Sequence, residues 1–465
     1  MNRLTYLVIL TVATTLLGGC AVGPDYQRPP APVPASFKEA PAGWRVARAN
    51  DPVPRGAWWN VYGDSLLDTL VPQVAIDNQN LKAYEAAYRE ALALVSQARA
   101  GLSPTVAVSP GATRQHTDHD SSTTRSAEVT GSWEPDLWGK ARRQVESEKA
   151  AAQASKAELA DLTLSAQAEL VTDYFELRYQ DSLALLLQRT VDAYTRSLQI
   201  AQNKYAVGVA SRSDVITART SLASTRASLI GAEQLRDQYE HAMALLIGKP
   251  PSALGIPAAP LAMPVPDIAT VLPSTLLERR PDIAEAERTM QQQNALIGVA
   301  QAAYYPTIDL SADAGYSGLG KLLSGSNAIW SLAASASETL FDGGARSGTL
   351  DAARAAYDQS VANYRQTVLA AFQDVEDELS NVRVLGQQAI AQDDALQLAR
   401  QAETIAINEY KAGTVDYTTV TTAQATALDA EQTTLQITEQ RLISTASLIR
   451  AVGGGWNTTE LAARP

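Results

Sequence analysis

Residues 203–215 read NKYAVGVASRSDV, and residues 408–420 read NEYKAGTVDYTTV. Each stretch ends a long run rich in alanine, leucine and glutamine with a small turn around a glycine, Gly208 in the first and Gly413 in the second. Glycine permits the backbone conformation that a tight reversal between two helices requires. The same kind of turn, present twice in one chain, indicates a protein built from two similar halves.

Further pairs of markers extend this similarity along the chain. Pro104 in GLSPTVAV matches Pro306 in AYYPTIDL, and Gly139 in DLWGKAR matches Gly343 in LFDGGAR. Together with the two glycine turns, these pairs keep an offset between 202 and 205 residues. A period near 200 is far longer than that of solenoid repeats, so the pattern indicates an internal duplication.

Each half is predicted to contain a helix, two strands, a very long helix, a turn and another long helix. We expect a first structural repeat over residues 61–262, a second over 263–457 and a C-terminal tail over 458–465. The predicted strands cover about residues 104–117, 123–136, 306–318 and 327–341, and the two helical hairpin tips cover about 206–214 and 411–417.

The long runs have the spacing of coiled coils. Residues 142–207 contain no proline and would extend roughly 100 Å as one helix, at 1.5 Å per residue. Apolar side chains recur at steps of three and four, which requires partner helices along the whole length. In the first half this series is Leu187, Val191, Tyr194, Leu198, Ala201 and Tyr205.

The predicted strands alternate polar and apolar residues. Asp309 and Asp313 belong to the polar set of one strand and Glu128 to that of another, which makes them candidate pore-lining residues. Strands of roughly ten residues with one wet and one apolar side match the wall of an outer-membrane barrel. The alternative is a soluble antiparallel sheet packed on a core.

Four strands cannot close a barrel, and an open sheet edge is not tolerated in lipid. Barrels need at least about eight strands, so several copies must contribute, and three copies would give twelve. We therefore predict a mainly α-helical chain that forms an oligomeric β-barrel, of 12 strands if three copies contribute, with the helices continuing the tube as a periplasmic α-helical barrel.

The N-terminus has the features of an export signal. Arg3 precedes a short apolar stretch that ends in LGGC, a sequence similar to a bacterial lipobox. We expect residues 1–19 to be a lipoprotein signal peptide, Cys20 to be lipidated, and residues 20–60 to form an extended Pro-rich linker. An ordinary signal cleaved near Gly19, with an incidental cysteine, is the alternative.

Composition excludes several function classes. The formal net charge of −12 argues against a nucleic-acid partner, because phosphate binding needs a basic surface. No phosphate-binding loop, serine elbow or metal-spaced Cys/His pair is found, so we expect neither enzymatic activity nor a cofactor. His116 and His119 lie in the polar run RQHTDHD, where a solvated loop is favoured over a metal site.

Several motifs together resemble one family, the TolC-like outer-membrane factors, and its lipid-anchored OprM/NodT subgroup in particular. These motifs are CAVGPDYQRP from Cys20, WWNVYGDSLLDTL from Trp58, LLERRPDIAEAE from Leu276, IGVAQAAYYPTIDLSADAG from Ile297, LFDGGAR, and GGGWN from Gly453. The resemblance implies a homotrimer in the outer membrane, with a long periplasmic portion that meets a periplasmic adaptor protein. It also implies an inner-membrane pump of the resistance-nodulation-division type.

The resemblance implies that the two hairpin tips form the closed periplasmic end of a duct and dock on the adaptor. The residues concerned are Gly208, Arg212, Asp214, Gly413, Asp416, Thr418 and Thr422. The acids either cap the outgoing helices, with an Asp214–Arg212 ion pair as another option, or ring the aperture. Relatives often carry an aspartate at the position of Thr422 and a leucine at that of Thr418, so a more polar closed end is expected here.

The predicted function is passive export of drugs or other small amphipathic compounds through the outer membrane. One alternative is the outer-membrane duct of a type I protein-secretion system. Another is a lipoprotein that tethers the envelope layers without conducting.

Overall fold

The computed structural model describes residues 21–39, 56–118, 120–266, 278–319 and 327–462. The expected signal peptide, Cys20 and His119 lie outside these residues.

Within the described residues, most of the chain is helical. A 3₁₀-helix at Trp58–Tyr62 leads into α1 (Ser65–Asp77) and α2 (Gln79–Ala100), and a second 3₁₀ turn covers Pro251–Ala253. The remaining helices are α3 (Lys140–Ala206), α4 (Arg212–Leu246), α5 (Pro281–Ala302), α6 (Ala345–Ala412), α7 (Tyr417–Ala451) and α8 (Thr459–Ala462).

The strands form one four-stranded antiparallel sheet with the order β1-β2-β3-β4. Each hairpin is contributed by a different half of the chain, and β2 and β3 join them. The strands are β1 (Thr105–Thr117), β2 (Asp120–Trp133), β3 (Thr307–Leu319) and β4 (Ala328–Ser337).

Two strands have bounds that differ from those expected. β2 begins and ends three residues before the predicted range, and β4 ends at Ser337 instead of near residue 341. The early ends of β2 and β4 arise where each strand gives way to a long helix. Pro135 cannot donate to a sheet ladder, and the Asp136 and Asp342 side chains accept hydrogen bonds from the first backbone N–H groups of α3 and α6.

The chain divides into two compact units. Among the described residues, one unit consists of 21–31, 85–118, 120–157, 284–319 and 327–367, and the other of 32–39, 56–84, 158–266, 278–283 and 368–462. Both units take residues from each predicted repeat. The boundary between the compact units therefore differs from the expected boundary between the two repeats near residue 262. The repeat boundary stays a prediction from the sequence.

In the first unit, the N-terminal segment lies against two helices. The Arg143 guanidinium donates to the Val22 and Gly23 carbonyls and to Asp25, and the Asn294 amide donates to the Pro24 carbonyl at 2.9 Å. The approach is close enough to require glycine, since a Cβ on Gly23 would lie 2.5 Å from the Cα of Gly298.

The second unit contains an aromatic and aliphatic core. Trp58, Leu67, Tyr174 and Phe175 are each at most 1% exposed within this core. Asp64 caps α1, because its side chain accepts hydrogen bonds from the backbone N–H groups of Leu66 and Leu67. It also accepts a hydrogen bond from the Tyr174 hydroxyl at 2.7 Å, which ties the cap to α3.

The predicted very long helix is confirmed as α3, which has 67 residues, and α6 has 68. Among the helices that the structure describes, none combines enough length with enough apolar character to cross a membrane.

Candidate pore face and hairpin tips

Strand register assigns every residue of the sheet to one of two faces. Asp313 lies opposite Thr130 on β2 and Ser331 on β4, and Asp309 lies opposite Ser335. Glu128 lies opposite Ser109 and Gly315. Because paired residues point to the same side of a sheet, all three candidate pore-lining carboxylates share one face with serines and threonines.

Asp313 is held in place on this polar face. The Ser331 hydroxyl donates a hydrogen bond of 2.9 Å to its carboxylate across the β3–β4 pair. At the helix-proximal edge, the hydroxyls of Thr307 and Ser337 lie 2.9 Å apart, as those of Thr105 and Ser132 do at 2.7 Å. The face thus carries negative charge and a hydroxyl lining suited to water-filled space.

The opposite face of the sheet is mainly apolar, and the described residues leave it uncovered. Trp330 is 81% exposed, Leu332 79% and Val106 70%. A continuous exposed apolar face of this kind marks a surface meant for a partner or for lipid.

The first hairpin tip joins α3 to α4 around Gly208. Its φ of +76° lies in the left-handed region, and a Cβ there would meet nothing within 4 Å, so the need for glycine is set by the backbone alone. The N–H groups of Val209 and Ala210 both donate to the Lys204 carbonyl and close the end of α3.

Asp214 takes part in a capping box, and the helix cap itself is Ser211. The Ser211 hydroxyl accepts from the Asp214 N–H, and the Asp214 carboxylate accepts from the Ser211 N–H and hydroxyl. Asp214 therefore contributes to the cap of α4, as expected, but as the third residue of the helix and not as the N-cap, and no ion pair between Asp214 and Arg212 is found among the described residues. Both of its carboxylate oxygens are used by Ser211, which stands one residue before the helix and has the short side chain that a cap needs.

The second tip joins α6 to α7 around Gly413, whose φ is +81°. Asp416 occupies the N-cap position of α7, as expected, but its side chain makes no hydrogen bond to the backbone. Its Oδ1 accepts from the Thr419 hydroxyl at 3.3 Å instead. The two tips therefore begin their outgoing helices in different ways.

The two tips contact each other through residues outside the predicted gate set. The Lys204 ammonium donates to the Tyr410 carbonyl and lies 4.0 Å from the centre of the Tyr410 ring. Tyr410 packs edge-on against Tyr417, with ring centroids 5.3 Å apart. Both tyrosines join a buried cluster that draws on both hairpins, with Ala201, Val215, Ala218 and Val420.

Burial at this contact changes acid–base behaviour. It raises the pKa of Tyr417 to about 12, and burial together with the Asp214 charge raises the pKa of Tyr410. Both rings stay neutral at physiological pH. The hydroxyl of Tyr410 is buried, and no partner for it is found among the described residues.

Thr418 and Thr422 line an open groove between α6 and α7 beside the second tip. The groove has a volume of about 710 Å³ and includes Ile405, Glu409 and Asp416. The Thr422 hydroxyl donates to the Thr418 carbonyl at 2.9 Å. Internal bonding of this kind leaves the groove wall with an uncharged methyl and hydroxyl surface at the level of these threonines.

A cluster of carboxyl groups lies farther from the tips, in the same unit. Glu439 on α7 is 4% exposed, and its Oε1 has no partner among the described hydrogen-bond donors. Burial and the adjacent carboxyl of Glu176 on α3 raise the pKa of Glu439. Burial and the charges of Glu169 and Glu176 raise the pKa of Asp173 to about 7.

Neither lipidation nor the histidine pair is tested by this structure, since Cys20 and His119 lie outside the described residues. His116 lies near the end of β1, where its Nδ1 is 2.8 Å from the Ser121 hydroxyl. In the part of the chain that the structure describes, no group of three or more His, Cys, Asp or Glu side chains is placed to hold a metal ion.

A sheet with one acidic and one apolar face, joined to long paired helices, defines the class of outer-membrane channels. A model of the family described as outer membrane efflux protein matches residues 70–249 and 272–454, more than half of the chain. The chain therefore belongs to the outer membrane efflux protein family.

Curated relatives match almost end to end. The chain is 30% identical over 474 residues to the probable efflux pump outer membrane protein TtgC of Pseudomonas putida, with 97% of this chain and 96% of the relative covered. It is 28% identical over 448 residues to the cation efflux system protein CusC of Escherichia coli, with 95% and 96% covered.

Solved structures share the fold. The outer-membrane channel OprN superposes with a TM-score of 0.86 at 29% identity, covering 94% of this chain and 100% of OprN. The outer membrane channel MtrE of Neisseria gonorrhoeae gives 0.84 at 26% identity, covering 94% and 99%.

These similarities confirm the predicted fold class, a mainly helical chain with a membrane sheet, and the predicted function class of an outer-membrane efflux channel. The outer membrane is accordingly the location of the family.

Proposed function

We propose that three copies of this chain form the outer-membrane duct of a tripartite efflux system and conduct small amphipathic compounds passively to the exterior. The observation that carries this proposal is the two-faced sheet with β1 and β4 at its edges. Four strands cannot enclose a pore, whereas twelve can, and pairing β4 of one copy with β1 of the next removes both edges.

In this arrangement the acidic face lines the lumen and the apolar face meets lipid. Glu128, Asp309 and Asp313 would then occur three times each around the pore. A lumen ringed by carboxylates concentrates cations and repels anions, more strongly at low salt, because dissolved ions screen such charges over about 10 Å at 0.1 M salt.

The hairpin tips form the periplasmic gate and the surface for an adaptor protein. Gly208 and Gly413 supply the reversals, and Arg212, Asp214 and Asp416 supply charge at the aperture. The Lys204–Tyr410 contact supports a closed state, since it holds the two hairpins of one copy together. Thr418 and Thr422 supply uncharged methyl and hydroxyl groups near the second tip, in a groove that also contains the carboxylates of Glu409 and Asp416.

Lipidation of Cys20 anchors each copy beside the barrel. The described segment that follows Cys20 is fixed to the first unit by Arg143 and Asn294, which supports an anchor near the membrane-proximal part of the molecule. Cys20→Ser should abolish labelling with radioactive palmitate while leaving the apolar sheet face unchanged.

Cargo selection belongs to the inner-membrane pump. Relatives are named for toluene efflux, pyoverdine export and cation efflux, although the chains are similar over nearly their whole length. We infer that such ducts accept whatever their pump delivers, and that a pump of the resistance-nodulation-division type supplies the energy in this case.

Three measurements test the proposal. The purified full chain in planar lipid bilayers should give discrete, long-lived conductance steps, and cross-linking should yield a trimer. A deletion strain should accumulate amphipathic drugs and should regain efflux on complementation. A monomer without conductance steps would overturn the duct, and normal drug efflux with lost secretion of a protein substrate would favour type I secretion instead.

A further inference from the structure

Charge is divided completely between the two faces of the sheet. The four acidic residues of the strands, Asp120, Glu128, Asp309 and Asp313, all lie on the polar face. The strands contain two arginines, Arg114 and Arg125, and register assigns both to the apolar face. Conduction through the pore does not explain two arginines on this face, because the face is directed towards lipid and away from the lumen.

The two arginines are neighbours. Arg125 pairs with Ala112, and Arg114, two residues further along β1, pairs with Thr123. They are thus diagonal partners on adjacent strands, about 7–8 Å apart at the backbone and within mutual reach of long side chains. His116 follows Arg114 on the same face, and all three side chains are exposed.

The pair lies at the margin of the apolar band. Along β2 the residues of this face run from Trp133 through Val129 to Arg125, a span of eight residues or about 26 Å. Because barrel strands are tilted, this span corresponds to about 20 Å along the membrane normal. The flexible arginine side chains can extend the reach of their guanidinium groups further towards the membrane surface. An arginine is costly at mid-membrane and much less so at this level.

The cluster is at the end of the sheet away from the helices. α2 ends just before β1 and α3 begins just after β2, whereas Arg114 and Arg125 flank the β1–β2 turn. If the helices are periplasmic, a point that rests on the proposed function, this turn faces the outside. The adjoining lipids are then those of the outer leaflet, which in Gram-negative bacteria are phosphorylated glycolipids.

We propose that Arg114 and Arg125, with His116 as an additional donor, form a binding site for the phosphate groups of outer-leaflet lipid headgroups. The planar guanidinium fork matches phosphate oxygens two at a time. The bare apolar face directly below the cluster, with Val108, Val129 and Trp330, accepts the acyl chains of the same lipid. Continuity between the two surfaces identifies a lipid, as opposed to free phosphate, as the ligand.

The experiment uses the full chain in non-ionic detergent and three probes. These are bisphosphorylated lipid A, the same lipid after removal of its phosphates, and inorganic phosphate alone. Native mass spectrometry measures bound lipid, and the midpoint of thermal unfolding measures stabilisation. The test variant is Arg114→Gln/Arg125→Gln, and the matched control is Arg219→Gln/Arg226→Gln, which removes the same charge from the exposed side of α4.

Wild type and control should bind bisphosphorylated lipid A more tightly than the dephosphorylated lipid. The test variant should lose about fivefold in affinity per arginine, or roughly 25-fold in all. The variant Arg114→Lys/Arg125→Lys keeps the positive charge but lacks the planar guanidinium fork. Its affinity for bisphosphorylated lipid A should lie between those of wild type and the glutamine variant. This variant, together with the wild-type comparison, decides the matter if the glutamine variant does not assemble.

Equal binding of both lipids, or an unchanged affinity in the glutamine or lysine variant, would overturn the site. Equal protection by inorganic phosphate alone would do the same, since the ligand would not be a lipid. Conductance of the same preparation separates this inference from the proposed function. If the wild-type protein conducts but binds both lipids equally, only the proposed lipid site is wrong. If the wild-type protein does not conduct, the proposed duct is wrong.

Discussion

The side chain of Lys204, in the last turn of α3, lies over the ring of Tyr410, in the last turn of α6, 206 residues further along the chain. The ammonium contacts the ring face and also donates to the carbonyl of the same tyrosine. One lysine thereby connects the ends of the two hairpins through a cation–π contact and a charge-assisted hydrogen bond.

Lys204→Ala should loosen the closed state of the duct. Losing both contacts destabilises the closed state by about 1–2 kcal/mol, which raises the fraction of open ducts by roughly tenfold. Single-channel recording should show more frequent or larger openings, and cells should become more sensitive to large antibiotics. Lys411→Ala, an exposed lysine in the last turn of α6, is the control. Identical conductance in the two variants would show that the contact does not restrain the gate.

Substituting the turn glycines should weaken the tips locally. Gly208→Ala and Gly413→Ala force a Cβ into the left-handed region, at a cost of about 1–2 kcal/mol each. Faster amide hydrogen exchange in the flanking turns is the readout. Gly231→Ala is the opposite case, since Gly231 lies inside α4 with open space around it, and it should stabilise by about 0.5–1 kcal/mol. Unchanged exchange in the tip variants would contradict the role given to these turns.

Neutralising the acidic face should change ion selectivity. Asp313→Asn removes three charges from a trimeric pore, so the ratio of cation to anion permeability should fall. Reversal potentials in a KCl gradient measure that ratio, and the shift should shrink at high salt because of screening. Asp358→Asn, on an exposed part of α6, should leave the ratio unchanged. A pore indifferent to Asp313 would exclude this face from the conduction path.

The buried carboxyl cluster should make the helical region less stable as pH rises. Between pH 3.8, the ordinary pKa of an aspartate, and about 7, the folded chain binds more protons at Asp173 than the unfolded chain does. The free energy of unfolding therefore falls as pH increases through that interval. The raised pKa of Glu439 acts in the same direction. Circular dichroism melts between pH 5 and pH 8 measure the trend.

Glu439→Gln should reduce this pH dependence. The amide can donate to Glu176, so the variant should gain about 1 kcal/mol at pH 7.5. Glu233→Gln, an exposed residue of α4, serves as control and should retain the wild-type trend. If wild-type stability instead rises with pH across this interval, the cluster is ionised in the folded state and the assignment is wrong.

Local periodicity accounts for most of what could be predicted from the sequence. The strands and their polar sets follow from alternation with period two. The coiled-coil spacing correctly predicts burial of four members of the first series, whereas Leu198 is half-buried and Tyr205 is exposed; the four are Leu187, Val191, Tyr194 and Ala201. These patterns are local, because the polarity of each residue depends on which side of its own helix or strand is buried.

The contact between the tips depends on lateral packing of distant helices, which no local pattern encodes. The repeat alignment pairs Tyr205 with Tyr410, yet Tyr205 is 48% exposed and Tyr410 is 6% exposed. The internal duplication thus predicts a glycine turn in each half, but it does not predict that the two matching tyrosines differ in burial. Lys204 stands next to Tyr205 in the sequence, and only the packing of α3 against the second hairpin gives it a role.

The edges of the sheet have a consequence for biogenesis. β1 and β4 each present a row of backbone donors and acceptors with no neighbour in the sheet of the described chain. A newly exported copy is therefore incomplete until it meets others, and folding, bilayer insertion and association become a single concentration-dependent event. Chaperoning of lone copies in the periplasm, more than their intrinsic stability, should then limit how many ducts a cell can make.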